Sequence, residues 1–266
     1  MQAIIISCVA ARRFAVVPHT RLFINSTFQV DVADVPRFDP GTEALDYLKR
    51  EGYVVLRSVL DTAELVHARA LLWNFLEGVG VDRDDAETLI RARPNTYGIV
   101  WEFGSGQSRF MWFIRTRPRL LRMFELFWNT SDLIASFEAF SMFPPKEVEA
   151  AWSLGEAWFH TDQNGVSRPG LQTIQSLTSL YDQDASSGGF VVVPRSQRKH
   201  TAVTKRVYKA APRTASAQQF LMVPPNDPIL FKPHRPQFVR CVFPIRPDPF
   251  RSDPLCFDPI RSDPIR

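Results

Sequence analysis

The sequence predicts a mainly β protein, a sandwich or barrel, with helices flanking its N-terminal side. Two observations carry this reading. From about Ile134 the chain breaks into short apolar runs: "ASFEAFSMF", "TIQSLTSLYD", "GFVVVP", "AQQFLMV" and "PILF". Turn residues separate them, among them Pro144-Pro145, Gly188-Gly189 and Pro224-Pro225-Asn226-Asp227. Before that point the apolar residues recur at helical spacing instead. A hydrophobic content of 45% in 266 residues can supply a sizeable core, and 23% charged residues exclude a disordered composition.

The elements follow in chain order. Residues 1–35 form a leader with no acidic residue before Asp31 and with Arg12, Arg13 and Arg21. An organelle transit peptide, a short signal-like apolar run over Ala3 to Ala11, a poorly ordered leader and a plain first strand all remain open. Residues 36–232 read as the folded domain. "FDPGTEALDYLKREGYVVLRSVLDTAELVHARALLWNFLEGVG" is helix, strand, helix. Asp61 followed by Glu64 is a capping-box start. Val66, Leu71, Leu72, Phe75 and Leu76 then make an apolar face that ends before Gly78 and Gly80. "GYVVLRSVL" is β-branched and apolar enough for a buried strand. Another helix starts at Pro118, a favourable first-turn residue, and carries Leu120, Leu121, Phe124, Phe127 and Trp128.

Residues 233–266 are a tail in which "IRPDP", "FRSDP", "LCFDP" and "IRSDP" repeat an Asp-Pro unit. Eleven of the chain's 21 prolines fall at or after residue 224. Proline removes ladder donors, so the tail is expected to be extended low-complexity chain that does not enter a sheet interior.

Several function classes drop out. No run of about 18 apolar residues occurs, so no membrane span is expected. Cys8, Cys241 and Cys256 have neither zinc spacing nor a disulfide pattern, which favours a reducing compartment. That compartment is the cytoplasm, or an organelle matrix if the leader is a transit peptide. There is no nucleophile context, and "GSGQS" lacks the Lys of a phosphate loop. Between Arg195 and Arg213 lie seven basic residues and no acidic one. This stretch is either a solvated basic loop or a receiver for an anionic small molecule, in preference to a nucleic acid.

The chemistry concentrates in "EAWFHTDQNGVSRPG". His160 and Asp162, two apart on an extended strand, project to one side and can share a metal. Imidazole plus carboxylate suits Fe(II), and two His with one carboxylate on one face leave positions open. Alone the pair carries no weight, because about 0.5 such pairs are expected by chance from 5 His and 28 acidic residues in 266.

The surrounding blocks carry more. His160, Asp162, Gln163 and Asn164, then "GLQTIQSLTSLYD" and "GGFVVVPRSQRKH", resemble the phytanoyl-CoA dioxygenase family of Fe(II)/2-oxoglutarate oxygenases, in its H-x-D-Q-N branch. "REGYVVLRSVL", "GSGQSRFMWFIRTRP" and "LIASFEAF" resemble it too, so the likeness spans about residues 43 to 232. The resemblance implies a double-stranded β-helix, a cupin-like jelly roll with flanking helices. It implies iron at the barrel mouth and oxidative decarboxylation of 2-oxoglutarate coupled to hydroxylation of a small molecule, a lipid or acyl derivative being one option. Succinate and CO2 would be released.

The resemblance also implies a distal His about ten residues after a Gly-Asp turn, and an Arg roughly eleven further on for the far carboxylate of 2-oxoglutarate. The turn here is Asn226-Asp227, and ten residues on stands Gln237. His234, three earlier, is the candidate third ligand; Arg246, twelve after it, and Arg240 are the candidate anchors. His200 falls where the family has a loop and no ligand, and Arg195 stands where it has Gly. Gln163 is a further candidate for the co-substrate or for orienting His160. Gln107, Trp112, Asn164 and Gln175 are candidates for the substrate pocket, with core packing as the competing explanation for Gln107 and Trp112. The alternative function is a catalytically degenerate jelly-roll protein that lacks the third iron ligand and has a binding role or none.

Overall fold

The computed structural model describes residues 3–11, 21–24, 28–33, 35–95, 98–135, 138–143, 159–181, 190–210, 221–224, 226–231 and 237–239. Five α-helices lie among them: α1 (Thr42–Glu51), α2 (Thr62–Gly78), α3 (Arg109–Arg115), α4 (Pro118–Trp128) and α5 (His200–Ala210). Among the described residues, no helix is long and apolar enough to cross a membrane.

The larger sheet is built around β1 (Ala3–Ala11). On one side β1 runs parallel to β10 (Thr173–Ser179), pairing from Ala3↔Thr173 to Val9↔Ser179. On the other it runs parallel to β7 (Ile134–Ala135) and β8 (Phe140–Phe143). β6 (Ile99–Val100) closes the sheet antiparallel to β8. A strand flanked on both sides reads as a continuous apolar run, as "AIIISCVAA" does. Residues 3–11 of the leader are paired as a strand.

The second sheet has the order β11 (Phe190–Val192), β13 (Gln237–Val239), β3 (Phe28–Ala33), β2 (Arg21–Ile24). β13 therefore lies in a sheet interior, contrary to the expectation for the tail. The physical reason is local: residues 237–239 contain no proline, so each retains its ladder N–H between Pro236 and Pro244. Two short pairs remain, β9 (His160–Thr161) antiparallel to β12 (Leu221–Met222), and β4 (Arg37–Phe38) parallel to β5 (Val55–Leu56).

The helical starts are as the sequence expects. Asp61 accepts from the Glu64 amide at 2.8 Å while Glu64 accepts from the Asp61 amide at 3.1 Å, which closes the capping box of α2. Pro118 opens α4. Two expectations differ. "GYVVLRSVL" contributes only the two residues of β5. "PILF" is no strand: Pro228–Leu230 is a 3-10 turn in which the Asp227 carboxylate accepts from the Ile229 amide, while Pro228 has no N–H to satisfy, the geometry a first-turn proline favours. The basic stretch, read as a loop, is in large part the helix α5, because Val203, Thr204 and Val207 give it a buried face.

Helices α2, α3 and α4 cover one face of the larger sheet. Leu72, Leu76, Phe110, Met111, Ile114 and Phe124 meet Phe140, Met142 and Leu180 there. Phe140 sits at the centre, edge-on to Phe75 at 5.6 Å and to Phe110 at 5.4 Å. Ile174 packs on the same core. Strand alternation then turns Gln175 to the opposite face. A second, smaller core joins α5 to β12 and the 3-10 turn through Val193, Val203, Val207, Leu221, Val223 and Leu230.

Candidate metal centre

β9 carries the first candidate ligand. Its register sets His160 opposite Met222 and Thr161 opposite Leu221, and the Val223 amide continues the ladder to the Phe159 carbonyl at 2.9 Å. Leu221 and Val223 are buried in the smaller core, so the strand is fixed by the packing beneath it. Immediately after β9 the chain bends, and Asp162 comes back beside its neighbour. His160 Nε2 and Asp162 Oδ1 lie 3.3 Å apart.

This separation fits a shared cation. Two cis donors with bonds of about 2.1 Å to a first-row metal stand about 3 Å apart at a right angle. Both side chains are reachable, His160 at 23% and Asp162 at 43% exposure. Burial pushes the Asp162 carboxyl up, but the His160 hydrogen bond and charge, with a hydrogen bond from Gln175, outweigh it. The net effect holds Asp162 below the usual carboxylate range, so it is ionised at neutral pH, as a ligand must be. Gln175 thus reaches the site from β10, on the face away from the helices.

The residues after the pair build the turn itself. The Gln163 amide nitrogen donates to the carbonyls of Arg168, at 2.6 Å, and Gly170, while its oxygen accepts from the Gln172 amide at 3.2 Å. Asn164 is 1% exposed, and its side-chain oxygen takes the amides of Val166 at 3.1 Å and Ser167 at 3.4 Å. Its carbonyl accepts from the Arg168 amide at 2.8 Å. Both side chains are therefore engaged in closing the 163–172 loop. His200, at the start of α5, donates from Nε2 to the Gln163 carbonyl at 2.8 Å.

Gln107 and Trp112 pair with each other, indole Nε1 to amide oxygen at 3.0 Å. Both belong to the α3 side of the sheet, where the Arg115 guanidinium lies 5.1 Å from the centre of the Trp112 ring. Arg115 is 3% exposed and donates to the carbonyls of Gly106 at 2.5 Å and Glu138 at 3.5 Å. Burial lowers its pKa, partly countered by Glu138.

On the distal side, the Asp227 carboxylate receives a two-pronged contact from Arg206, at 2.6 and 3.0 Å, and the Ile229 amide at 2.9 Å. Burial pushes Asp227 up, but Arg206 and the amide more than reverse it, so its pKa is lowered. This pair was not foreseen from the sequence. Its signal was there, in a basic stretch with no acid of its own and an Asp-Pro step suited to capping a turn.

Other cations of the basic stretch are also engaged. Arg195 forks onto Glu51 at 2.8 and 3.1 Å, and Arg198 reaches the Arg50 carbonyl at 3.0 Å. Arg195 has φ 62, the left-handed region that glycine occupies without strain. Lys199, Lys205 and Lys209 are exposed.

His234, Arg240 and Arg246 lie outside the described residues. Gln237, at the spacing of the family's distal His, is on β13 opposite Val192. Among the described residues no group of three or more His, Cys, Asp or Glu gathers in a way that could hold a metal.

Comparison with known proteins gives one relative to set beside this geometry. The chain is 23% identical over 150 residues to the Ava biosynthesis cluster protein O of Aspergillus versicolor, a stretch covering 55% of this chain and 47% of that protein. The chain thus spans about half the length of the curated relative it matches. No protein-family model and no solved structure matches the chain.

Proposed function

We propose that the chain is an Fe(II)/2-oxoglutarate-dependent dioxygenase that hydroxylates a small molecule and releases succinate and CO2. The observation that carries the proposal is the approach of His160 Nε2 to 3.3 Å from Asp162 Oδ1 on a turn anchored from both sides. When bound, iron and 2-oxoglutarate supply the oxidising power; the chain supplies position. His160 and the ionised Asp162 hold the cation, with His234 as third ligand. Gln175 hydrogen-bonds Asp162 and limits its rotation. Arg246, with Arg240 as second choice, is suited to the far carboxylate of the co-substrate by its bidentate fork. In this reading the fold is a double-stranded β-helix.

A second reading has one observation in its favour. Gln237 occupies the distal position at the family spacing, and an amide is a poor substitute for imidazole. The chain would then be a non-catalytic descendant with a binding role.

An anaerobic titration with Fe(II), then 2-oxoglutarate, decides between them. The expected result is a saturable visible charge-transfer band that is absent in His160→Ala and in His234→Ala. No band from folded wild-type protein leaves the second reading standing.

A further inference from the structure

The ligand pair stands between two anchors, and the second has a specific owner. We propose that His200 is a positioning residue for His160 and Asp162, acting through the Gln163 carbonyl. The inference rests on the iron reading above.

Upstream, β9 is held by β12 and by the Val223 amide. Downstream, the first acceptor past Asp162 is the Gln163 carbonyl, which takes the His200 Nε2 proton at 2.8 Å and the Thr161 hydroxyl at 3.3 Å. A carbonyl only accepts, so Nε2 must carry the hydrogen. The imidazole lies against Gly165: a Cβ there would come within 2.7 Å of His200 Cε1 and 3.0 Å of Nδ1. That glycine is the condition for the ring to reach the carbonyl. The Thr204 hydroxyl, donating to the His200 carbonyl at 2.7 Å, stands 3.1 Å from the same point.

The holder is itself rigid. Val203 and Val207 pack α5 onto Leu221 and Val223 of the β12 segment, so both anchors stand on one small core. Without His200 the Gln163 carbonyl keeps only the longer Thr161 contact, and the turn past Asp162 loses its tie to α5. Partners that hydrogen-bond metal ligands directly typically change metal affinity about 10- to 100-fold, and His200, acting one residue removed, belongs at the lower end.

The test uses the full chain and two readouts. One is amide exchange at Val166, Ser167 and Arg168 in metal-free protein, with α2 amides as the folding control. The other is Mn(II) affinity by electron paramagnetic resonance, with His160→Ala as the blank. His200→Ala is expected to speed exchange in the turn about tenfold and to weaken Mn(II) binding about tenfold. His200→Gln, whose amide can place a donor near Nε2, is expected to restore most of both. Gly165→Ala should resemble His200→Ala and add little to it, since the two act on one contact.

Wild-type protein that binds Mn(II) no better than His160→Ala sinks the iron reading and this inference together. Tight wild-type binding matched by His200→Ala in affinity and exchange sinks this inference alone. So does failure of His200→Gln to rescue, which would reduce His200 to packing.

Discussion

Replacing Asp227 tests whether the distal turn is held by charge. Its side chain is 5% exposed, while Arg206 is 43% exposed. A buried ion pair broken from one side costs about 3–5 kcal/mol when both groups are sealed from water. Here Arg206 can rehydrate, so the loss should approach that of charged hydrogen bonds, about 1.5–3 kcal/mol. Asp227→Asn keeps an oxygen for the Ile229 amide, whereas Asp227→Ala also loses the cap, about 1 kcal/mol more. The expected order at pH 7 is wild type, then Asn, about 2 kcal/mol lower, then Ala, about 3 kcal/mol lower.

The pH dependence follows from the sign of the shift. The folded-state pKa of Asp227 is lowered from the ordinary 3.8, so its contribution is complete well above that value and disappears as pH falls below it. The gap between wild type and Asp227→Asn should therefore be widest at pH 6–7 and narrow steadily below about pH 4. Urea unfolding of both proteins at several pH values measures it. An Asn variant as stable as wild type at pH 7, or a gap that does not change with acid, refutes the reasoning.

Three further outcomes are expected. Phe140→Ala removes a ring that is 1% exposed and wedged between Phe75 and Phe110, and should lower stability by about 3–5 kcal/mol; a urea-unfolding loss below about 1 kcal/mol contradicts the proposed core. Ile5→Pro removes a donor from a strand flanked on both sides, and should raise amide exchange in β10 around Gln175; unchanged exchange there means β1 is not the central strand. Gly106→Ala drives a methyl into the Glu138 carbonyl and should loosen the Arg115 contact by about 1–3 kcal/mol, read as a shift in the urea midpoint.

Much of the helical half was legible because its signals are local. The Asp61–Glu64 box and Pro118 at a first turn concern atoms within four residues of one another, so spacing alone identifies them. The closeness of His160 and Asp162 was legible for the same reason, two side chains two positions apart, although Asp162 lies in the bend just past β9. Gln163 and Asn164 were legible as neighbours of the site, but their part in closing the loop was not. Whether an amide faces a ligand or closes its own loop depends on the path of residues 164–172, and no spacing rule fixes that path. "PILF" misled because its apolar content suits a strand, while Asp227 and Pro228 together favour a capped turn.

By itself the sequence determined which residues can ligate, where helices begin, and that short strands follow Ile134. Those properties depend on residue type and on contacts a few positions away. Only the tertiary structure decided that residues 3–11 thread between β10 and β8, that β13 enters a sheet, and that α5 brings Arg206 to Asp227 and His200 to the ligand turn. Those pairings join residues up to about 206 positions apart, as Gln237 is from Asp31. Hydrogen-bond donors and apolar surfaces of this kind accept many partners, and the selection is made by the packing of the whole chain.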